Sequence, residues 1–466
     1  MMRTAIFRRI LACILLCALL VQPVIATDEI TDNSINQGSH TLDATWSVLG
    51  AEQLIVNCDS AILYELNSDT MMYSWNPDAS VYPASLVKIL TVLMVAERGS
   101  LSDAVTVRQD VLDTVDPNVK SLDLIADEVV TVEDLLYGVM VYSANDAAAV
   151  LADYIAGSQE QFVAEMNAYA QELGCTGTKF VNVTGLHHSE QVSTARDVAK
   201  ILERATENEL FMKLYGATYY AVPKTNKAET RELSTDNYLL VSQVEAYYDS
   251  RIIGSRTGAT ALGDRCVASV AEKGDMKLLC IIMGAESEYV ENGDTKRSYC
   301  GFQETTKLLD YGFEGYRPVQ LMYEGQALEQ CKVTGGTNDV VLGVSSDICT
   351  VLPDGIGLED IRLQYSDGYN QLKAPIQKGQ IVGTVTLWNG NICIGSTELY
   401  AMSDVVSDAP KIDYQQKKTA TAGQIILIIC SVIIAIFGGV LVVRWVRTIR
   451  VVKQKRRRRR SHRRSR

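Results

Sequence analysis

Apolar positions run unbroken through residues 10–21 and again through residues 425–443, IILIICSVIIAIFGGVLVV, which carries no charge. Between these two runs the pattern keeps changing its period. LIVNC, SAILYELN and MMYSWN, between residues 54 and 76, are short runs of strand formers with a turn signal at Asn67-Ser68-Asp69, and they predict strands. Residues 85–98, SLVKILTVLMVAER, are apolar nearly all round and stop at Gly99, which predicts a buried helix. Residues 131–155 give two helical patterns broken around residues 142–145, and residues 159–173 and 194–205 read as amphipathic helices, each opened by polar residues. Strand character returns at 265–270 and 277–283, and a helix over 302–311 closes the region. Strands first, helices in the middle, then strands and a last helix predict one sheet covered by helices, an α/β (α+β) arrangement over residues 42–316.

Beyond residue 316 the texture differs. VQLMY, CKVTG, VVLGV, ICTVL, IRLQY and IVGTVTLW alternate with Gly, Asp and Asn turns, predicting a small antiparallel β domain over residues 317–402. Residues 403–423 are polar and lysine-bearing and read as a stalk; residues 27–41 read as a flexible lead-in.

The two apolar runs set the compartment. Arg3, Arg8 and Arg9 precede the first, and Val24-Ile25-Ala26 follows it, the order of a secretory signal over residues 1–26. An uncleaved N-terminal anchor is the alternative. The second run, residues 424–443, is about 20 residues long and spans ~30 Å as a helix, enough to cross a bilayer. Arg444 follows at once, and residues 444–466 hold 13 Lys/Arg and no acid, which predicts a single-pass protein with a cytoplasmic tail and everything before the span outside. A basic tail directly beside a span is expected on anionic lipid rather than on nucleic acid.

Charge sharpens this division. The formal net charge of −12 hides 13 cations in the tail and 3 in the leader, so the exported part keeps 28 against all 56 acids. Such an acidic body does not seek polyanions. Eight cysteines, 58, 175, 266, 280, 300, 331, 349 and 393, fall in the exported region; their spacing matches no metal site, and Cys266 and Cys280 sit in apolar runs that predict buried thiols. Neither a metal nor a cofactor is expected.

Only four histidines exist, 40, 187, 188 and 462, so a histidine-based triad has little to rest on, and there is no Gly-rich phosphate loop. Any chemistry must use another base. In VYPASLVKIL, Ser85 and Lys88 are three apart at the start of an apolar helix, so hydroxyl and amine share a face. Serine needs an adjacent base to act as a nucleophile, and a lysine buried among apolar neighbours near other cations has its pKa lowered into that role. Alone, Ser-x-x-Lys reads as easily as a helix cap and a surface lysine, but it occurs once in the chain and its surroundings are too apolar for a surface helix. Ser143-Ala144-Asn145 interrupts two helical patterns with a hydroxyl and an amide. Ser-x-Asn has little specificity by itself, and Ser34-Ile35-Asn36 matches too. Ser255-Arg256-Thr257-Gly258 precedes a strand-like segment, which places a cation, a hydroxyl and an open backbone on a strand edge, although in isolation it would read as a β-turn. The three in this order form the set Ser-x-x-Lys, Ser-x-Asn and Lys-Thr-Gly.

From about Ser60 to Met402 the sequence resembles the low-molecular-mass penicillin-binding proteins, the serine D-alanyl-D-alanine carboxypeptidases. The likeness includes PASLVKI, SANDAA, FVNVTGLHHSEQVSTARDVA at residues 180–199, LLDYGF at residues 308–313, and KAPIQKGQIVGTVTL at residues 373–387. It implies a penicillin-binding, serine β-lactamase-like transpeptidase fold, followed by a β-rich domain and here by a C-terminal transmembrane helix. It also implies roles: Ser85 attacks the carbonyl between the last two D-alanines of a peptidoglycan stem peptide, and Lys88 takes its proton. Ser143 relays a proton to the departing D-alanine, and Asn145 orients Lys88 and the substrate amide. The N–H groups of Ser85 and Ala259 form the oxyanion hole, while Arg256, Thr257 and Gly258 hold the substrate and its terminal carboxylate. β-Lactams are expected to acylate the same serine.

Two features depart from the family. Arg256 stands where lysine is usual, which suits carboxylate binding better than proton relay. The anchor is a full span with a basic tail where family members often carry an amphipathic helix. Two rival readings remain at this level: a serine β-lactamase-like hydrolase, against which stands the lack of a Glu-x-x-Leu-Asn segment, and a non-catalytic muropeptide-binding membrane sensor, against which stand the intact Ser85, Lys88, Ser143 and Asn145.

Overall fold

The computed structural model describes residues 54–259, 264–286, 288–291, 294–408 and 422–461. The expected signal peptide, the lead-in and most of the stalk lie outside these residues.

The chain opens with the hairpin β1 (Ser60–Glu65) and β2 (Thr70–Trp75), closed by a turn in which Asp69 takes a positive φ of 54°. A 3-10 turn, Ala84–Leu86, leads into α1 (Val87–Arg98), which Gly99 stops. A small strand pair, β3 (Ala104–Thr106) and β4 (Val129–Thr131), frames the short helix α2 (Gln109–Leu112). Helices α3 (Val132–Tyr137), α4 (Asn145–Ala156), α5 (Gln159–Glu172), α6 (Ala195–Thr206) and α7 (Glu209–Tyr215) follow. Thr131, Ser158, Thr194 and Asn208 cap α3, α5, α6 and α7 through their side chains; for α5 and α6 these are the polar openings visible in the sequence. A hairpin, β5 (Tyr219–Val222) with β6 (Arg231–Ser234), precedes the strands β7 (Ile252–Gly258), β8 (Arg265–Lys273) and β9 (Met276–Ala285), and α8 (Cys300–Gly315) closes the region.

The central sheet is antiparallel in the order β2-β1-β9-β8-β7, so the first hairpin pairs with strands some 200 residues later. Alternation along each strand separates two cores. Ile62, Tyr64, Ala268, Val270, Leu279 and Ile281 face α1 and its neighbouring helices. Ala61, Leu63, Val267, Leu278, Cys280 and Ile282 face Phe302, Leu308, Leu309 and Phe313 of α8. Each of the larger aliphatic and phenylalanine side chains among them contributes about 1.5–3 kcal/mol by leaving water. Cys266 and Cys280 are fully buried thiols, as their apolar runs predict.

LIVNC is not a strand. Between residues 54 and 58 the backbone is irregular, Ile55 is exposed, and Tyr73 Oη donates to Leu54 O at 2.9 Å while Lys307 Nζ donates to Ile55 O. β1 already has β2 on one side and β9 on the other, so no sheet position is open beside it.

The strand Tyr316–Met322 leaves α8 directly and pairs with Ile348–Pro353. A second antiparallel sheet has the order Ala327–Cys331, Val340–Val344, Ile392–Ala401, Ile381–Asn389, Ile361–Tyr365. Its central strand, ICIGSTELYA, escaped the sequence reading because its buried face includes Thr397 beside Leu399 and Ala401. A separate compact unit comprises Cys331–Val340, Asn370–Gln377 and Ser403–Arg466. In it CKVTG forms only the two-residue strand Val333–Thr334, parallel to Leu372–Lys373. The same unit holds the helix Ala422–Ser461, where Ile429–Arg450 is long and apolar enough to cross a membrane, with a mean hydropathy of 2.4. This is a candidate membrane anchor.

Candidate active site

Ser85 sits in the 3-10 turn before α1, directly after Ala84, which is held at φ +48°. A non-glycine residue in that region costs of order 1 kcal/mol and persists where its surroundings over-determine it. Here they do. Gly185, at φ +83°, is packed so close that a Cβ on it would lie 2.0 Å from Ala84 O, and a Cβ on Gly258 would lie 2.6 Å from Ser85 N. Two segments far apart in sequence thus clasp the serine turn, and both need glycine at the contact. Gly258 thus packs against the Ser85 amide, and the next residue, Ala259, lines the same cleft as Ser85.

One turn on, Lys88 is fully buried. Its Nζ lies 3.3 Å from Ser85 Oγ, donates to Asn145 Oδ1 at 2.9 Å and donates to Thr184 O. Burial first, then the charges of Arg256 and Lys120, hold its pKa well below the ordinary lysine value. A neutral amine that gives two N–H groups to Asn145 and Thr184 keeps its lone pair for the Ser85 hydroxyl.

The expected break around residues 142–145 is a π turn, Gly138–Tyr142, ended by Ser143 at φ +68° before α4 begins at Asn145. Ser143 Oγ donates to Ser85 Oγ at 3.3 Å. Asn145 is held from behind: its Nδ2 and its backbone N donate to Lys120 O at 2.8 and 2.9 Å. Asp146 fixes the same loop by accepting from Leu122 N, Leu124 N and Ser121 Oγ.

Arg256, Thr257 and Gly258 do not form a turn. They lie on β7, an edge strand whose neighbour is β8, with Gly258 opposite Cys266. The open edge can receive an extended peptide. Arg256 is buried, and its donors are largely committed: Nε to Ser85 O at 3.4 Å, Nη1 to Val139 O at 3.2 Å and Met140 O at 2.8 Å, and Nη2 to Ser143 Oγ. Ser143 ends the π turn in the left-handed region, so the last carbonyls of that turn need outside donors, and the guanidinium caps them. Of five N–H groups at most one remains for a ligand. A two-pronged grip on a carboxylate, which a free guanidinium can make, is therefore not available to it in this state. Burial pushes its pKa down to about 10, so it stays charged at neutral pH.

Ser85, Ser143, Arg256, Thr257, Gly258 and Ala259 line one cleft, with Lys88 and Asn145 packed beneath it. Sequence reasoning missed other walls of the cleft. Lys120 pairs with Asp236 at 2.7 Å, and Asn237, Tyr238, Arg265 and Tyr299 also line the cleft. Residues 235–238 follow β6, which the buried Glu128 anchors through Arg231 at 2.7 Å. No motif marks these residues. His187 packs edge-on against Tyr82 at 4.7 Å, and His188 Nδ1 accepts from Glu190 N, so neither histidine joins the cluster.

A family model described as D-alanyl-D-alanine carboxypeptidase matches residues 48–287, and one described as penicillin-binding protein 5, C-terminal domain, matches residues 316–407. The chain is 31% identical over 374 residues to the D-alanyl-D-alanine carboxypeptidase DacC of Escherichia coli, covering 77% of this chain and 88% of that protein. It is 29% identical over 359 residues to DacF of Bacillus subtilis, covering 76% and 87%. Among solved structures, penicillin binding protein 5 from Haemophilus influenzae superposes with a TM-score of 0.63 at 27% identity, over 77% of this chain and all of that one. With its serine turn, buried lysine and edge strand in one cleft, and with these matches along both of its folded regions, the chain belongs to the D-alanyl-D-alanine carboxypeptidase family of serine peptidases.

Proposed function

We propose that this carboxypeptidase removes the terminal D-alanine from peptidoglycan stem pentapeptides through an acyl-enzyme on Ser85, and that β-lactams acylate the same oxygen. The observation that carries the reading is the fully buried Lys88, with its amine placed between Ser85 Oγ and Asn145 Oδ1. Lys88 Nζ takes the proton as Ser85 Oγ bonds to the carbonyl carbon between the two D-alanines. The negative oxygen that results is received by the N–H groups of Ser85 and Ala259. Ser143 then passes a proton to the departing D-alanine nitrogen as the C–N bond breaks. Asn145 holds Lys88 and the substrate amide, and Thr257, with the remaining N–H of Arg256, meets the terminal carboxylate along β7 and Gly258. Water attacks the ester by the reverse proton path and frees Ser85.

The proposal extends to the layout of the chain: signal peptide 1–26, lead-in 27–41, catalytic domain 42–316, β-rich domain 317–402, stalk 403–423, span 424–443 and cytoplasmic tail 444–466. The catalytic region then stands outside the cell membrane, against the wall, with the basic tail on anionic lipid inside.

The test is release of D-alanine from a D-Ala-D-Ala peptide by the purified protein. Steady release, abolished in Ser85→Ala, is expected. Acylation by penicillin with rapid hydrolysis but no D-alanine release favours a β-lactamase-like hydrolase; peptide binding without turnover favours a sensor.

A further inference from the structure

A carboxylate offers about four lone-pair directions, and in the cleft described above Thr257 and Arg256 bring one hydroxyl and one N–H. Two more groups line that cleft without a part in the chemistry. Asn237 is 3% exposed. Its Oδ1 accepts from Leu239 N at 3.3 Å, which fixes which way the amide faces, and among the described residues its Nδ2 donates to no protein atom. Leaving a buried amide N–H without an acceptor costs about 1–3 kcal/mol, a cost that a ligand oxygen removes. Arg265 is the second group. It opens β8 one residue before the buried Cys266, so by strand alternation it shares the face of Val267 and starts beside Gly301 of α8, and from there it lines the cleft. The β8–β9 register shifts between Arg265 and Val267, where Gly284 on β9 takes φ +71°, and such a bulge re-aims the side chains beside it. The guanidinium lies over the Tyr299 ring at 5.7 Å, and Tyr299 is itself a wall of the cleft.

We propose that Asn237 and Arg265 form the outer half of the carboxylate subsite and grip the substrate's C-terminal carboxylate together with Thr257 and the one remaining N–H of Arg256, whose other donors stay bound to the π turn, Ser85 O and Ser143. The proposal rests on the acyl-enzyme reading above and assigns the recognition step within it. It makes Arg265 a specificity-determining residue for peptides that end in a free acid.

The experiment measures acylation of full-length protein by two donors, a D-Ala-D-Ala peptide with a free C-terminus and a depsipeptide ester whose terminal carboxylate is amidated. Arg265→Ala and Asn237→Asp are each expected to lose about ten- to a hundred-fold in kcat/KM on the free acid, mainly through KM, and to change little on the amidated ester. Arg265→Lys is expected to recover part of the loss, since it keeps the charge but not the fork. Equal losses on both donors, or none on the free acid, overturn the proposal and leave the acyl-enzyme reading standing. Failure of the wild type to be acylated by either donor overturns that reading, and this subsite with it. Should Arg265→Ala not fold, Asn237→Asp decides alone, being nearly isosteric and able to keep the bond from Leu239 N.

Discussion

Burial disfavours the charged form of a lysine that has no solvent contact and no carboxylate among its described partners. Lys88 is in that position, and Arg256 and Lys120 add positive potential to the effect of burial. Lys88→Arg keeps a cation that cannot deprotonate, so the rate of Ser85 acylation should fall by ~10²-fold or more. Acylation also requires the unprotonated amine, so its rate should rise with pH through the depressed pKa of Lys88 and level off well below the ordinary lysine value. Removing the nearby charge in Lys120→Met should move this rising limb to higher pH; a limb that stays put would mean Lys120 does not act on Lys88. The pair Ser85 and Lys88 was legible in the sequence because both residues lie on one turn and their spacing alone brings them together. Asp236, Asn237 and Arg265 were not, because a loop and a strand end bring them to the cleft and no local period records that meeting.

At the scale of elements, the nucleophile turn is held by contacts from outside its own segment. Gly185 follows Thr184, whose carbonyl receives Lys88 Nζ, so one loop both positions the base and presses on Ala84. Gly185→Ala adds a methyl where 2.0 Å is available and forces φ +83° on a residue with a Cβ, so it should lower Tm by several degrees and slow acylation at least ten-fold. An unchanged acylation rate would show that the loop does not set the serine. A second test lies where α6 packs on the sheet: burial, then the charges of Asp69 and Glu207, push the Glu203 carboxyl up to about 8 while its Tyr64 neighbour stands 3.4 Å away. The folded protein then holds a proton that the unfolded chain releases near the usual carboxylate range. The stabilisation this brings is complete below that range and is lost as pH rises toward 8. Glu203→Gln should flatten this part of the profile of Tm against pH, and an identical slope in the variant would refute the assignment. The order of the main strands and helices was readable from periodicity, but the small pairs β3–β4 and β5–β6 and the short helices α2 and α7 were not. The π turn was visible only as a break, because the arginine that caps it lies on another strand.

For the whole molecule, the central question is which side of a membrane the cleft faces. The helix with the apolar segment Ile429–Arg450, a candidate membrane anchor, ends in a run of arginines, and the positive-inside rule predicts that these face the cytoplasm. A cysteine introduced into residues 444–466 should resist a membrane-impermeant thiol reagent in intact cells, and ready labelling would reverse the topology. The most direct test of the account is intact-mass measurement of the full-length protein after exposure to penicillin. A single penicilloyl adduct is predicted, located on Ser85 and absent from Ser85→Ala. An adduct that survives this substitution, or wild-type protein that never acquires one while releasing D-alanine, would contradict it.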